Sequence, residues 1–289
     1  LVAYFRPQTL EEALNIRAGR EVVILAGGTD IYPAKAARTG WGDMRHPDVL
    51  DISAIKGLRG ISEEGEKLRF GAMTTWSDLR HTALGPAFTC YQVAAHMVGG
   101  GQVQNRGTLV GNICTASPAG DGIPCLMTLD AEVELRSMGG GRLVPIGELF
   151  LGYRKTVVRA DEIVTALLIP KPDKNARGRF LKLGARKYLV ISITMGSAVV
   201  TADESGTITA ARIAVGACTP VACRLPELES ALVGRSIDEA AEIVEASHLR
   251  SLAPIDDVRA SAAFRRAAAV TLVRDLLAGF STAEKRRAA

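Results

Sequence analysis

The sequence contains no Cys-x-x-Cys pair. Its five cysteines, Cys90, Cys114, Cys125, Cys218 and Cys223, are an odd number at wide spacings, which argues against a disulfide framework. Zinc and iron–sulfur centres usually draw on closely paired thiolates that fix the metal's geometry, so none is expected in this chain. Buried free thiols in a reducing compartment are the expectation. Histidine is scarce as well. His46, His81, His96 and His248 are the whole set, and none stands with Cys or Asp at a metal-ligand or nucleophile–base spacing. They are read as core or surface residues, and no metal ligand is assigned.

Long apolar runs are also missing. No stretch reaches the roughly eighteen consecutive apolar residues of a bilayer-spanning helix, and the amino terminus has no basic segment leading into an apolar core and a small-residue cleavage site. Membrane insertion is therefore not expected, and a cytoplasmic location is. An excess of one charge is absent too: 35 Lys and Arg face 31 Asp and Glu, for a net +4. The charges are scattered, and only Glu284-Lys285-Arg286-Arg287 gathers like a tail. This favours anionic ligands mildly and gives no support for nucleic-acid binding.

What remains is an ordinary globular composition, 47% hydrophobic and 23% charged over 289 residues. That length implies two or three lobes with packed cores. Thr9-Leu10-Glu11-Glu12 reads as a capping box opening a helix from Leu10 to about Ala18. Glu21 to Ala26 is a continuous apolar, β-branched run typical of a buried strand, and it stops at Gly27-Gly28. Val49 to Ile52 reads as a strand, and Leu58 to Ile61 with Leu68 to Ala72 as hairpin arms. Thr75 starts a short helix, and Ala87 to Val98 is helical up to a loop at Gly99-Gly100-Gly101. Ala131 to Arg136 and Arg142 to Ile146 form strands around Gly139-Gly140-Gly141, and Glu162 to Ile169 is a further strand.

The polar, proline-bearing Lys171 to Asn175 marks the main domain boundary. Beyond it, strands at Phe180 to Leu183, Ile193 to Ala202 and Ile208 to Gly216 precede helices at Leu225 to Leu232, Ile237 to Ser247 and Ala262 to Ala278. Strands grouped before helices predict an α+β lobe with helices on one sheet face.

Two constellations carry the chemistry. Leu25-Ala26-Gly27-Gly28-Thr29-Asp30 ends a buried strand with glycines that allow close backbone approach, amides that can converge on an anion, and a threonine hydroxyl. It has the spacing of neither the three-glycine dinucleotide fingerprint nor the Walker loop. Taken alone, it reads first as a tight strand-to-helix turn. The second, Asn105 through Asp121, is read as an irregular run rich in small residues, hydroxyls and amides that can serve phosphate and flavin oxygens. Asp121 can accept from a ribose or ring group, or cap a helix beginning near Gly122.

Four segments together resemble the FAD-binding medium subunit of the xanthine dehydrogenase and carbon monoxide dehydrogenase family of molybdenum hydroxylases. They are Ala26-Gly27-Gly28-Thr29-Asp30; Asn105-Arg106-Gly107-Thr108 through Gly111-Asn112; Thr115-Ala116-Ser117-Pro118 with Gly120-Asp121; and Asp256 to Ser261 with Arg265-Arg266. They occur in the family's order and span nearly the whole chain. The resemblance implies a two-lobed FAD-binding fold of the vanillyl-alcohol-oxidase/PCMH type, over residues 1–55 and 56–173. A carboxy-terminal α+β domain with a three-stranded sheet would follow over 174–289.

By the same resemblance, Leu25, Ala26, Gly27, Gly28, Thr29 and Asp30 form one diphosphate loop, and Thr108, Val110, Gly111 and Asn112 the other. Thr115, Ser117 and Asp121 approach the ribityl, ring or adenosine portions, Val164 lies alongside, and Lys182 stands near the flavin, where a cation stabilises negative charge on the reduced ring. A solvated strand lysine is the alternative for Lys182. Val110-Gly111 replaces the family's usual paired glycines, and Leu189-Val190 stand where relatives often carry an acidic residue. No catalytic residue is assigned.

The resemblance further implies a large molybdenum-pterin subunit, a small subunit with two [2Fe-2S] clusters, NAD or another electron acceptor, and a dimer of heterotrimers. A stand-alone FAD-dependent oxidase of the same superfamily and a nucleotide-binding scaffold are the competing readings. The first of these often needs a His or Cys for covalent flavin attachment, and neither diphosphate loop, Leu25 to Asp30 or Thr108 to Asn112, contains one.

Overall fold

The structure, a computed structural model, describes residues 3–33 and 47–281. His46 and the Glu284–Arg287 tail lie outside the described residues. Strands β1 (Tyr4–Phe5), β2 (Val23–Leu25) and β3 (Val49–Asp51) form a parallel sheet in the order β1-β3-β2. Helix α1 (Leu10–Gly19) links the first two strands. Thr9 caps it by accepting from the Glu12 amide, as its sequence predicts. The return bond differs, because the Glu12 carboxylate accepts from the Gln8 amide. Strand β2 is shorter than its apolar run because its partner β3 offers only three residues to pair with.

Strands β4 (Ile61–Glu64) and β5 (Lys67–Gly71) form the first antiparallel hairpin. The first arm starts later than expected, since Leu58 is buried in the core and the chain turns at Gly60, φ +111°. Five helices follow: α2 (Trp76–His81), α3 (Thr89–Met97), α4 (Gly101–Arg106), α5 (Leu109–Thr115) and α6 (Gly122–Thr128). Thr75 and Asp78 close a complete capping box on α2. The irregular run expected over Asn105 to Asp121 is corrected here, because α5 occupies its middle. The Thr108 hydroxyl caps that helix, and Leu109, Val110 and Ile113 give it a buried stripe. Short polar and glycine residues hid this helix from a reading based on propensity.

Strands β6 (Glu132–Ser137), β7 (Gly140–Pro145) and β10 (Ile163–Pro170) complete an antiparallel sheet in the order β4-β5-β10-β6-β7, while β8 (Phe150–Gly152) and β9 (Lys155–Thr156) pair separately. As the central strand, β10 is buried from Ile163 through Ile169, which explains its unbroken apolar run.

The third sheet is antiparallel, β11 (Ala176–Leu183), β12 (Thr194–Ala202), β13 (Ile208–Gly216) and β14 (Cys223–Arg224). Two of the three long strands match expectation, β11 begins at Ala176, four residues ahead of the expected Phe180, and β14 adds a two-residue edge too short to leave a sequence signature. Helices α7 (Pro226–Leu232) and α8 (Ala262–Ala278) follow. The helix expected at Ile237 to Ser247 is corrected to successive turns and a 3-10 segment at Ala246–Leu249. Its amides reach back three residues, Glu239 to Ser236 and Glu242 to Glu239, rather than four. Ile237, Ala240 and Val244 are nonetheless buried, so the apolar period marked the inward face and not the backbone.

Helices cover this sheet on both faces rather than one. Side-chain alternation divides it between two cores: Val199 and Ala214 join the core shared with α3 and α6, whereas Ala198, Val200, Ile213 and Val215 join the core under α8. Close approach needs glycine. A Cβ at Gly178 would overlap the Ala87 carbonyl oxygen ahead of α3, and one at Gly196 would stand 2.8 Å from Leu272 of α8. Gly178→Ala is therefore expected to cost about 1–3 kcal/mol of stability through overpacking. Gly147→Ala, whose Cβ would meet nothing within 4 Å, should leave thermal denaturation unchanged beside it.

Candidate functional site

After β2 the chain turns at Gly28 with φ +74°, a conformation that glycine adopts without Cβ strain. Gly27 lies directly against the backbone between α4 and α5, and a Cβ there would overlap the Arg106 carbonyl oxygen. A Cβ at Gly107 would in turn stand 3.3 Å from Thr29 Oγ1. The two glycine turns, far apart in sequence, thus touch backbone to backbone. Thr115 extends the junction, since its hydroxyl lies 3.0 Å from the Gly111 carbonyl oxygen and 3.3 Å from the Asp30 carboxylate. Arg154 joins from the β8–β9 turn. Its guanidinium stands 3.7 Å from Asp30, and its amide donates to the Ala116 carbonyl oxygen at 3.1 Å.

The start of α5 supplies the donors. Thr108 Oγ1 accepts from the Gly111 amide at 2.9 Å, and the Leu109 amide donates to Thr74. The Val110 amide, by its place in the first turn, has no intrahelical acceptor. Gly111 is required by the cap, because a Cβ would sit 2.8 Å from Thr108 Oγ1. Val110 fills core volume together with Leu109, Ile113 and Val164, so its side chain takes up no space on the loop surface. Leu25, at the end of β2, is buried as well. Asn112 Oδ1 is buried without a hydrogen-bond partner, a costly arrangement that invites a donor. The cradle therefore combines close backbone access, the Val110 amide, hydroxyls and an open acceptor. That donor set fits an extended dinucleotide bearing a diphosphate.

A second cluster lies between α6 and the third sheet. Lys182 Nζ and Ser192 Oγ each donate to the Asp121 carboxylate at 2.6 Å, and the Asp121 and Lys182 side chains are both almost wholly buried. Asp121 occupies the N-cap position of α6 yet makes no capping bond with its side chain. Neither the helix-cap alternative for Asp121 nor the solvated alternative for Lys182 holds. Burial pushes the Asp121 carboxyl up, and the Lys182 charge and the two hydrogen bonds oppose that rise. Ser192 was not foreseen, because a single serine in a loop carries no sequence signal.

Ser117 lines a neighbouring cavity of about 440 Å³. Its hydroxyl accepts from the Ala119 amide at 3.3 Å. Near the Gly99–Gly101 turn, the Gly184–Ile191 loop is anchored by Arg186, which donates to the Leu189 carbonyl oxygen at 3.1 Å. Leu189 itself sits at φ +54°, and the edge of the Tyr188 ring meets His96. Among the described residues, no group of three or more His, Cys, Asp or Glu side chains could hold a metal ion, and no helix is long and apolar enough to cross a membrane.

Removing one partner of the buried pair should be severe. Asp121→Ala strands the Lys182 charge and is expected to cost about 3–5 kcal/mol in denaturant unfolding, whereas the paired Asp121→Leu/Lys182→Met change should recover most of that. In the cavity wall, burial disfavours the charged form of Asp257, but bonds from the Arg259 and Ala260 amides and the Arg265 and Arg259 side chains outweigh it and hold the carboxyl down at about 2. A depressed acid stabilises the fold above its unfolded value near 4 and loses that contribution as pH falls through its folded value. The difference in melting temperature between the native chain and Asp257→Asn should accordingly be full above about pH 4 and close toward pH 2.

Residues 2–172 match the FAD binding domain in molybdopterin dehydrogenase, and residues 179–279 match the CO dehydrogenase flavoprotein C-terminal domain. The chain is 35% identical over 239 residues to the nicotinate dehydrogenase FAD-subunit of Eubacterium barkeri, covering 80% of this chain and 79% of that one. It is 30% identical to the nicotine 6-hydroxylase medium subunit of Paenarthrobacter nicotinovorans, over 94% and 95% of the two. Its structure resembles carbon monoxide dehydrogenase from Hydrogenophaga pseudoflava with a TM-score of 0.85, 28% identity and 96% coverage of both chains. With an FAD-binding domain and a flavoprotein carboxy-terminal domain in the same order as these oxidoreductase subunits, the chain belongs to the FAD-binding subunits of the molybdopterin dehydrogenase family.

Proposed function

We propose that this chain receives electrons from the [2Fe-2S] clusters of a small partner subunit and delivers them to NAD or another acceptor, while a large molybdenum-pterin subunit oxidises the substrate. The observation that carries this reading is the backbone contact of Gly27 with Arg106 and Gly107, which makes one cradle from two turns. Bound FAD supplies the ability to exchange electrons singly with clusters or as a hydride with nicotinamide.

The chain's own residues would position and tune that group. Leu25 to Asp30 and Thr108 to Asn112 would hold the diphosphate with amides and hydroxyls, and Asn112 Oδ1, an acceptor, would take its missing donor from a ribose or ribityl hydroxyl and not from the phosphates. Thr115, Ser117 and Asp121 would flank the remaining portions, with Val164 packed behind. Lys182, already fixed by Asp121, would bring a positive charge to the ring region, where negative charge accumulates on reduction. Cofactor lobes over 1–55 and 56–173, a carboxy-terminal domain over 174–289, a dimer of heterotrimers and a cytoplasmic location belong to the same reading.

Native purification with cofactor analysis tests it. FAD bound to this chain is expected, with molybdenum and iron on two co-eluting chains. Gly27→Ala should weaken FAD binding about tenfold or more, measured by flavin fluorescence, because the added methyl separates the two turns. A folded chain that never takes up FAD would sink the proposal, and bleaching of the flavin by an organic substrate added to the isolated chain would favour the stand-alone oxidase.

A further inference from the structure

The proposed cradle has two ends, and one side chain spans them. At one end is the second glycine turn, Gly107 to Gly111. At the other is Asp121, at the N-cap position of α6, which holds Lys182 and Ser192 at 2.6 Å each. Trp76 lies between. It begins α2 and is only 2% exposed. Its amide donates to the Gly107 carbonyl oxygen at 3.1 Å, the Leu109 amide donates to Thr74 at 2.9 Å, and Thr75 bridges antiparallel to Thr108. The backbone that opens α2 is thus tied to the turn.

The indole carries the contact across. Its five-membered ring faces the turn, where a Cβ at Gly107 would stand 3.3 Å from Cδ1. The far corner of its six-membered ring, Cη2, reaches the residue after Asp121, where a Cβ at Gly122 would stand 2.7 Å away. Asn112 Oδ1 lies 3.0 Å from that same position, so the unpartnered acceptor of the cradle is seated against the same glycine as the indole. Tyr91, itself fully buried, meets Trp76 edge-on at 5.8 Å and 87°, which fixes the tilt of the ring. A fused aromatic ring cannot shorten, and a close-packed interior transmits displacement. A rigid body therefore sets the distance between the two ends.

We infer that Trp76 is a positioning residue, whose indole holds the second glycine turn and the Asp121–Lys182 pair at the separation that an extended FAD requires. This rests on the FAD reading above and assigns the spacing of that site to one side chain. A ligand that engages both ends gains affinity when their spacing matches its own, because the second contact is then made within one complex. A ligand that engages one end does not sense the spacing.

The test titrates the whole chain, stripped of flavin, with FAD and with ADP, which carries the diphosphate but no flavin ring. Calorimetry is run well below each variant's melting temperature. Trp76→Phe keeps an aromatic ring but leaves the Gly122 end unfilled, so the neighbours close on the gap. It is expected to weaken FAD about tenfold or more and ADP by about twofold or less. Phe280→Leu, at a buried aromatic of the other core, controls for lost stability and should spare both ligands. Gly122→Ala crowds the same contact from α6 and should again weaken FAD more than ADP.

FAD binding at native strength in Trp76→Phe and Gly122→Ala would overturn the inference. So would a parallel loss of FAD and ADP, which would make Trp76 a support of the glycine turn alone. A native chain that binds ADP but not FAD would sink the FAD reading itself, and the spacing role with it.

Discussion

A carboxylate almost entirely removed from water, Asp121, governs how the parts of this protein meet. Burying a charge is costly unless it is paired and hydrogen-bonded, and Asp121 gains both from Lys182 of β11 and Ser192 ahead of β12. The pair can form only when the third sheet is seated against α6. A buried hydrogen bond between Thr128 and Ser197 crosses the same seam, and the bare backbone of Gly178 lets the sheet approach the turn before α3. Docking of the carboxy-terminal sheet and delivery of a lysine to the candidate site are thus one event.

The cradle follows the same logic on a smaller scale. Neither glycine turn is distinctive by itself, and each is compatible with an ordinary end of a strand or helix. Their contact changes that, because Gly27, Gly107 and Gly111 are each required by a neighbour that a Cβ would strike. The resulting surface has amides, hydroxyls and the unpartnered Asn112 oxygen in one place.

Much of the fold was legible because burial imposes simple periods. The unbroken apolar run of β10 reports a strand covered on both sides, and the Thr75 box announces α2 to the residue. Failures cluster where pattern and backbone separate. Ile237, Ala240 and Val244 have helical spacing and face inward, yet successive tight turns satisfy the same burial. Helix α5 was concealed because its glycine, asparagine and threonine residues favour loops in isolation, and only the Thr108 cap and a buried stripe make it helical. At the site, glycines and hydroxyls were visible, but Ser192 and Arg154 were not, since each acquires its role from partners more than thirty residues away.

By itself, the sequence determined the location of the longer strands and most helices, the absence of closely spaced metal-ligand motifs, and the order of segments that identifies the family. These properties are local or statistical, carried by period, composition and spacing. Tertiary structure decided which of those segments touch. It joined Gly27 to Arg106, withdrew Lys182 from solvent onto Asp121, and turned the side chain of Val110 into the core. The reason is that close approach and desolvation depend on distance in space, and sequence order does not specify that distance until the chain has packed.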